Sequence, residues 1–360
     1  METTCAAGQI KTSCAVRQTV WDKLWALWQV FRYKFVILHC FLIKITDINM
    51  TTERKRIDEL DFLKCVFIVL MIVFHLAYFG DMHPVAKKFV YTFHMPAFLF
   101  LAGYLANTAK PWRRFGSYLL WLAVPYAVME SGYIVMASLL PIREHIDSLT
   151  PGVFLDRLLL HPVGPYWFIH TLILLEAFCY VIMRYVRRPA ESVALFALVC
   201  WLLSSGGVGL LSFANAVYFI IGAALRRSGL NVLSVFASKT PLTLVPLALL
   251  CLDSNNFDRA TPAGMAIVWL VVSLLLFVFR HVRVGRLVLY IGRHTLIILL
   301  FSPIFTLLSK AFIPLFAFDP TALSFMVVAV VFVLAGCFAL ARLLDFIGIS
   351  RFLLGKNKTV

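Results

Sequence analysis

The sequence predicts an all-α integral membrane protein, a polytopic bundle of about ten transmembrane helices with both termini in the cytosol. Three observations carry this. Of the 360 residues 61% are apolar and only 14% charged, with mean hydropathy +0.89, which excludes an ordinary soluble globule. From Phe62 onward the apolar residues fall into runs of bilayer-spanning or near-spanning length. The basic residues concentrate in alternate connections between those runs, as the positive-inside rule requires.

The formal net charge of +15 would point to nucleic acid in a soluble protein. Here the basic residues sit in short loops, so control of topology accounts for them and no nucleic-acid partner is expected. The eight cysteines form no CxxC pair and lie mostly inside apolar runs. They read as small apolar fillers, and neither a metal site nor a disulfide framework is expected.

Residues 1–49 form an atypical N-terminal extension. Trp21, Leu24, Trp25, Trp28, Phe31 and Phe35 recur at helical spacing, but Asp22, Lys23, Arg32 and Lys34 interrupt them. Such a segment suits a membrane surface better than a span. Met50 stands directly before the first polar-to-apolar transition and is an alternative start. The membrane domain is expected over 50–350, followed by a basic cytosolic tail over 351–360.

The expected spans are about 62–80, 89–107, 115–138, 163–183, 192–205, 208–225, 232–252, 263–280, 287–309 and 321–345. Arg54, Lys55 and Arg56 precede the first. The connections after every second span then carry Lys110, Arg113 and Arg114; Arg184, Arg187 and Arg188; Arg226, Arg227 and Lys239; and Arg280, Arg283 and Arg286. The opposite side holds few cations, among them Lys87, Lys88 and Arg259. No pair of Gly/Pro-broken helices recurs in matching halves, as an inverted-repeat transporter would tend to show.

This topology turns sequence position into depth. His75 lies about 20 Å along the first run, well inside a hydrocarbon core about 30 Å thick. His94, Glu130, His170 with Trp167, and Ser302 come from four other runs and share the same outer layer. A titratable group there is unfavourable unless paired, solvated or used. Each also has a plain structural reading. An imidazole can bond a helix backbone, His94 can serve a helix start before Pro96, Glu130 can lock two helices, and Tyr166-Trp167-Phe168 can be an aromatic belt. Depth alone does not make these residues neighbours.

Two spaced motifs are more specific. Asp61-Phe62-Leu63-Lys64 is followed by ten residues and then His75, and the next run opens Phe93-His94-Met95-Pro96-Ala97-Phe98-Leu99-Phe100-Leu101-Ala102-Gly103-Tyr104. Together they resemble the acyltransferase-3 family of membrane proteins, in particular the fucose 4-O-acetylase-like branch. Pro165-Tyr166-Trp167-Phe168 through Leu175-Glu176, and Ile291-Gly292-Arg293-His294-Thr295-Leu296, resemble further segments of that family. Two departures stand out. Ser302-Pro303 occupies a position where relatives often carry a histidine, and Gly116 to Val124 lacks an additional basic residue.

The resemblance implies a membrane O-acetyltransferase of the bacterial inner (plasma) membrane. It would carry an acetyl group from acetyl-CoA to a hydroxyl of a cell-surface glycan or its lipid-linked precursor. A hydroxyl is a poor nucleophile until a base near neutral pKa takes its proton, which histidine supplies. His75, Glu130 and His94 are the candidate catalytic groups, and Trp167, His170 and Ser302 the candidate acceptor-binding ones. Lys64, Arg113 and Arg114 would hold the CoA phosphates at the cytosolic mouth. The rival class is a transporter or flippase for a glycan, with the polar layer as its translocation site.

Overall fold

The computed structural model describes residues 57–139, 144–205, 209–355 and 358–360; the N-terminal extension and the Met50 start lie outside them. All regular elements among the described residues are helical. Helix α1 runs Asp58–His75, with Asp58, Glu59 and Asp61 in its first turn, where carboxylates oppose the positive end of the helix dipole. It stops at Leu76, whose extended backbone (ψ 98°) redirects the chain into a short α2, Ala77–Met82. Helix α3, Pro84–Leu105, begins with proline at its first turn, where the missing N–H costs nothing.

Helix α4 covers Trp112–Leu139 and α5 covers Pro151–Leu159, the latter capped by the Thr150 hydroxyl, which accepts from Val153 N–H at 3.3 Å. A 3₁₀ turn, Gly164–Tyr166, leads into α6, Trp167–Tyr185. Then follow α7, Pro189–Ser204; α8, Phe213–Arg227; α9, Leu244–Cys251; α10, Pro262–His281; α11, Arg286–Arg293; α12, Thr295–Leu308; α13, Leu323–Phe346; and α14, Ser350–Leu353.

Among the described residues, five stretches are long and apolar enough to cross a membrane: Trp112–Leu139, Pro151–Tyr185, Pro262–His281, Thr295–Phe316 and Leu323–Phe346. Helices α1 and α3, which carry the charged and histidine-bearing motifs, fall outside that set.

Three expected spans are not single helices. The run 232–252 contains two 3₁₀ turns, Val232–Ser234 and Pro241–Thr243, before the eight-residue α9. Asn231 and Thr240 side chains accept from the backbone N–H groups of Leu233 and Leu242, at 3.0 and 2.9 Å, and Pro241 has no N–H to donate. Such local bonds compete with continuous helix. The run 62–80 breaks at Leu76, and 287–309 breaks at His294 (φ −112°, ψ 26°). That last break frees α11 to lie against α1.

Helix α1 is the hub, packing on α3, α10, α11, α12 and α13. Leu63, Phe67, Ile68 and Ile72 are fully buried along it. Helices α3 and α8 cross through two glycines. A Cβ on Gly103 would strike the Phe219 carbonyl, and one on Gly222 would strike the Phe100 carbonyl. Small residues at such a crossing let two backbones approach closely. Gly292 does the same for α11, whose backbone lies against the Asp61 carbonyl of α1. The outermost helices show the opposite pattern. On α13 the buried residues are Phe325, Ala329, Val333, Cys337 and Ala341, one stripe at four-residue spacing, while Val327, Val328 and Val331 are exposed. An apolar helix with a narrow buried stripe presents the rest of its surface to lipid.

Candidate functional site

The two motif histidines come together around one tyrosine. His75 ends α1, and its Nδ1 lies 2.7 Å from the Met71 carbonyl one turn earlier. His94 repeats the arrangement on α3, with Nδ1 at 2.7 Å from the Val90 carbonyl. A carbonyl can only accept, so in both neutral rings Nδ1 carries the proton and Nε2 keeps the lone pair. The Tyr91 ring lies between them, at centroid distances of 5.7 Å to His75 and 5.2 Å to His94. Its hydroxyl donates to the Phe74 carbonyl at 3.1 Å, a group set loose where α1 stops.

Their surroundings differ. His94 is 2% exposed, and its Nε2 has no hydrogen-bond partner. His75 is exposed. An accessible lone pair on one ring beside a buried one on the other suits a proton acceptor with a neighbour that supports it. Tyr91 was not singled out in the sequence, although its place three residues before His94 puts both on one helix face.

Away from the histidines, α1, α3, α4, α6 and the start of α12 enclose a cavity of about 370 Å³. That is within the range of roughly 300–1,000 Å³ typical of small-molecule sites. Its wall is mostly apolar, including Ile68, Met95, Phe98, Leu101, Phe168 and Leu299. Its polar lining includes Lys64, Asn107, Lys110 and Tyr118, together with the Glu176 carboxylate, which accepts from Tyr118 Oη at 3.5 Å. Ile68 is seven residues before His75, about 10 Å along α1, and Met95 adjoins His94. The cavity therefore lies along the same two helices that carry the histidine pair.

Both lysines are held in place. Lys64 pairs with Asp61 at 2.7 Å; Asp61 in turn accepts from Arg293 Nε at 3.1 Å, and Arg293 reaches Asp58 at 3.1 Å. Lys110 lies over the Tyr118 ring at 4.3 Å, and its carbonyl accepts from Tyr180 Oη at 2.8 Å and Arg184 Nη1 at 3.0 Å. Arg113 and Arg114 are exposed at the start of α4 and are not among the residues lining the cavity. Lys110, which the sequence reading did not single out, is among the lining residues.

Glu130 and His170 belong to a different cluster. Glu130 is fully buried, and its Oε1 accepts from Val163 N–H at 2.7 Å. Glu144 accepts from the next N–H, that of Gly164. His170 Nε2 donates to the Leu159 carbonyl at 2.9 Å, and Tyr126 donates to Leu158 at 2.7 Å. These bonds bolt the turn 158–164 onto α4 and α6. Trp167 is half-buried, edge-on to Phe168 at 6.0 Å, and Phe168 lines the cavity. Ser302 is buried on α12, two residues past Leu300, whose carbonyl accepts from Tyr166 Oη at 2.9 Å. Among the described residues no group of His, Cys, Asp and Glu could hold a metal ion.

Residues 57–342 match the family model described as an acyltransferase domain, acyltransferase 3. The chain belongs to the acyltransferase-3 family. This acyltransferase is a multi-pass membrane protein, and the matched region contains both histidine motifs and every wall of the cavity. No curated protein and no solved structure gives a significant match.

Proposed function

We propose that this acyltransferase is an O-acetyltransferase of the bacterial inner membrane, transferring acetyl from acetyl-CoA to a hydroxyl of a cell-surface carbohydrate or its lipid-linked precursor. One observation supports this above the others. A mostly apolar cavity lined at one end by Lys64 and Lys110 lies along the same helices, α1 and α3, that carry His75 and His94, and His75 keeps its Nε2 lone pair on an exposed ring. The charge asymmetry of the loops favours the cytosol for the Lys64 end and for both termini, which is the side where acetyl-CoA is found. The lysines meet the donor's phosphates and the apolar wall accepts its arm.

In this reading the acceptor hydroxyl gives its proton to Nε2 of His75 as its oxygen attacks the thioester carbonyl. The carbon–sulfur bond then breaks and the thiolate of CoA leaves, taking a proton from the imidazolium. The Met71 carbonyl keeps the ring in the tautomer that makes this possible, and the Tyr91 ring packs against it. His94 supports the same centre from its buried position. Glu130 and His170 hold the turn before α6, and with it Trp167 and the Phe168 wall; Trp167 and Ser302 are the acceptor-side residues of this reading.

The deciding measurement is thiol release from acetyl-CoA by the purified protein when glycans are supplied. An acyltransferase of this kind releases CoA and leaves an acetyl ester on the glycan; a transporter releases none. Changing Lys64 and Lys110 together to Gln is expected to raise the KM for acetyl-CoA about tenfold, from lost charge-assisted contacts. Arg113→Gln with Arg114→Gln should raise it less, and that smaller effect should fade as salt screens exposed charges. An equal KM for the lysine double variant and the unmodified protein would remove the donor from this cavity.

A further inference from the structure

A second cavity, of about 470 Å³, lies on α11 and is lined by Arg286, Leu287, Leu289, Tyr290 and Arg293. One carboxylate joins it to the first. From the α11 side, Arg293 reaches across to α1, where its Nε donates to Asp61 Oδ2 and its Nη2 to Asp58 Oδ1, both at 3.1 Å. The other Asp61 oxygen, Oδ1, holds Lys64 Nζ at 2.7 Å, and Lys64 lines the first cavity. The backbone makes the same passage. Helix α11 stops at His294, and Thr295, two residues after Arg293, already lines the first cavity. The close approach at Gly292, against the Asp61 carbonyl, keeps this junction tight. The two cavities therefore adjoin at Asp61.

Their linings differ in chemistry. The first is mostly apolar, whereas the second sets two guanidiniums around an aromatic ring. Arg286 is exposed and has no carboxylate within ion-pair distance among the described residues. Topology asks for cations in this connection, but it does not ask for one on a cavity wall. The half-buried Tyr290 ring is held by His294 at 4.3 Å and by Phe338 at 5.3 Å between centroids. A guanidinium recognises phosphate through paired N–H donors. An aromatic face accepts a nucleobase by stacking, whatever the base. Asp61 would repel an anion brought to the junction, but Lys64 and Arg293 straddle its two oxygens and offset that charge.

We propose that the α11 cavity is the nucleotide subsite of the acyl donor, with Tyr290 against the base and Arg286 on the ribose 3′-phosphate of CoA. The diphosphate then crosses the junction at Lys64, and the uncharged arm enters the first cavity. This rests on the acyl-CoA reading above and extends its donor site onto a second helix. It also gives the break at His294 a use, because the break sets Arg293 on one cavity and Thr295 on the other. A donor lacking the nucleotide would reach only the apolar part of this double site.

The test measures binding, so it does not depend on turnover. Purified full-length protein is titrated at constant ionic strength with CoA and with dephospho-CoA, which lacks only the 3′-phosphate. Arg286→Gln is expected to weaken CoA about tenfold and dephospho-CoA by less than about twofold, while Arg286→Lys keeps part of the difference. Tyr290→Leu should weaken both ligands and Tyr290→Phe neither, since stacking needs the ring and not the hydroxyl. Arg286 has no partner in the fold, so these losses should come without a change in melting temperature. An Arg286→Gln loss equal for the two ligands, or none for either, overturns the proposal. So does an Arg286→Gln protein that binds CoA normally but retains less phosphatidylglycerol through purification, which would make the cavity a lipid site. Failure of the unmodified protein to bind CoA, with no thiol release, is a separate result and removes the acyl-CoA reading itself.

Discussion

His75→Gln is expected to lower acetyl transfer by about 10²–10⁴-fold while leaving acetyl-CoA binding and the folded state unchanged. Glutamine keeps the size and hydrogen-bonding capacity of the ring and can still donate toward the Met71 carbonyl, but it cannot take up a proton. A histidine present only to bond that carbonyl, 2.7 Å away, would tolerate the change. The effect should fall on kcat, because the base acts in the transition state and not in holding the donor. His75→Ala should lose as much activity and additionally disturb the ring packing with Tyr91. Donor affinity and chromatographic homogeneity are measured alongside, and activity within a few-fold of the unmodified protein would reduce His75 to a packing residue.

Gly222→Val is expected to prevent normal folding, and Gly103→Val to do the same from the other side of the crossing. The Cβ of either substitution would overlap a backbone carbonyl of the facing helix, which no rotamer change can relieve. Overpacking of this kind costs about 3 kcal/mol or more, a large share of a membrane domain's stability. Thermal unfolding in detergent, followed by size-exclusion monodispersity, reads the loss. Gly116→Val is the control, since a Cβ there meets nothing, and it should leave the melting temperature almost unmoved. A Gly222→Val protein that melts with the unmodified one would mean that α3 and α8 are not held together at this crossing.

Both results depend on how the chain brings distant residues together, and the sequence discloses that unevenly. The motif from Asp61 to His75 and the block from Phe93 to Tyr104 are legible because they are local: spacing along one helix sets which residues share a level. The helical, membrane-embedded class is legible for the same reason, since a long apolar run has few alternatives once every backbone group must be bonded internally. What depends on azimuth is not legible. Helices apolar all round give no sign of which face turns inward, so Glu130 and His170, at the right depth in the sequence, belong in the structure to the turn 158–164.

The loops were harder still. Lys110 and Arg113 stand three residues apart, but Tyr180 and Arg184 hold the Lys110 backbone so that its side chain lines the cavity, while Arg113 and Arg114 are exposed. Helix breaks at Leu76 and His294 interrupt runs that hydropathy reads as continuous, because hydropathy sums side chains and is blind to backbone dihedrals. The sequence by itself determined the class, the family resemblance, the two histidines and the lysine eleven residues before the first of them. Only the tertiary structure decided that Tyr91 packs against both histidines and that Lys110 joins Lys64 in one cavity. Those are pairings between elements, fixed by which glycines allow two helices to touch and which side chains hold a loop, and no local pattern encodes them.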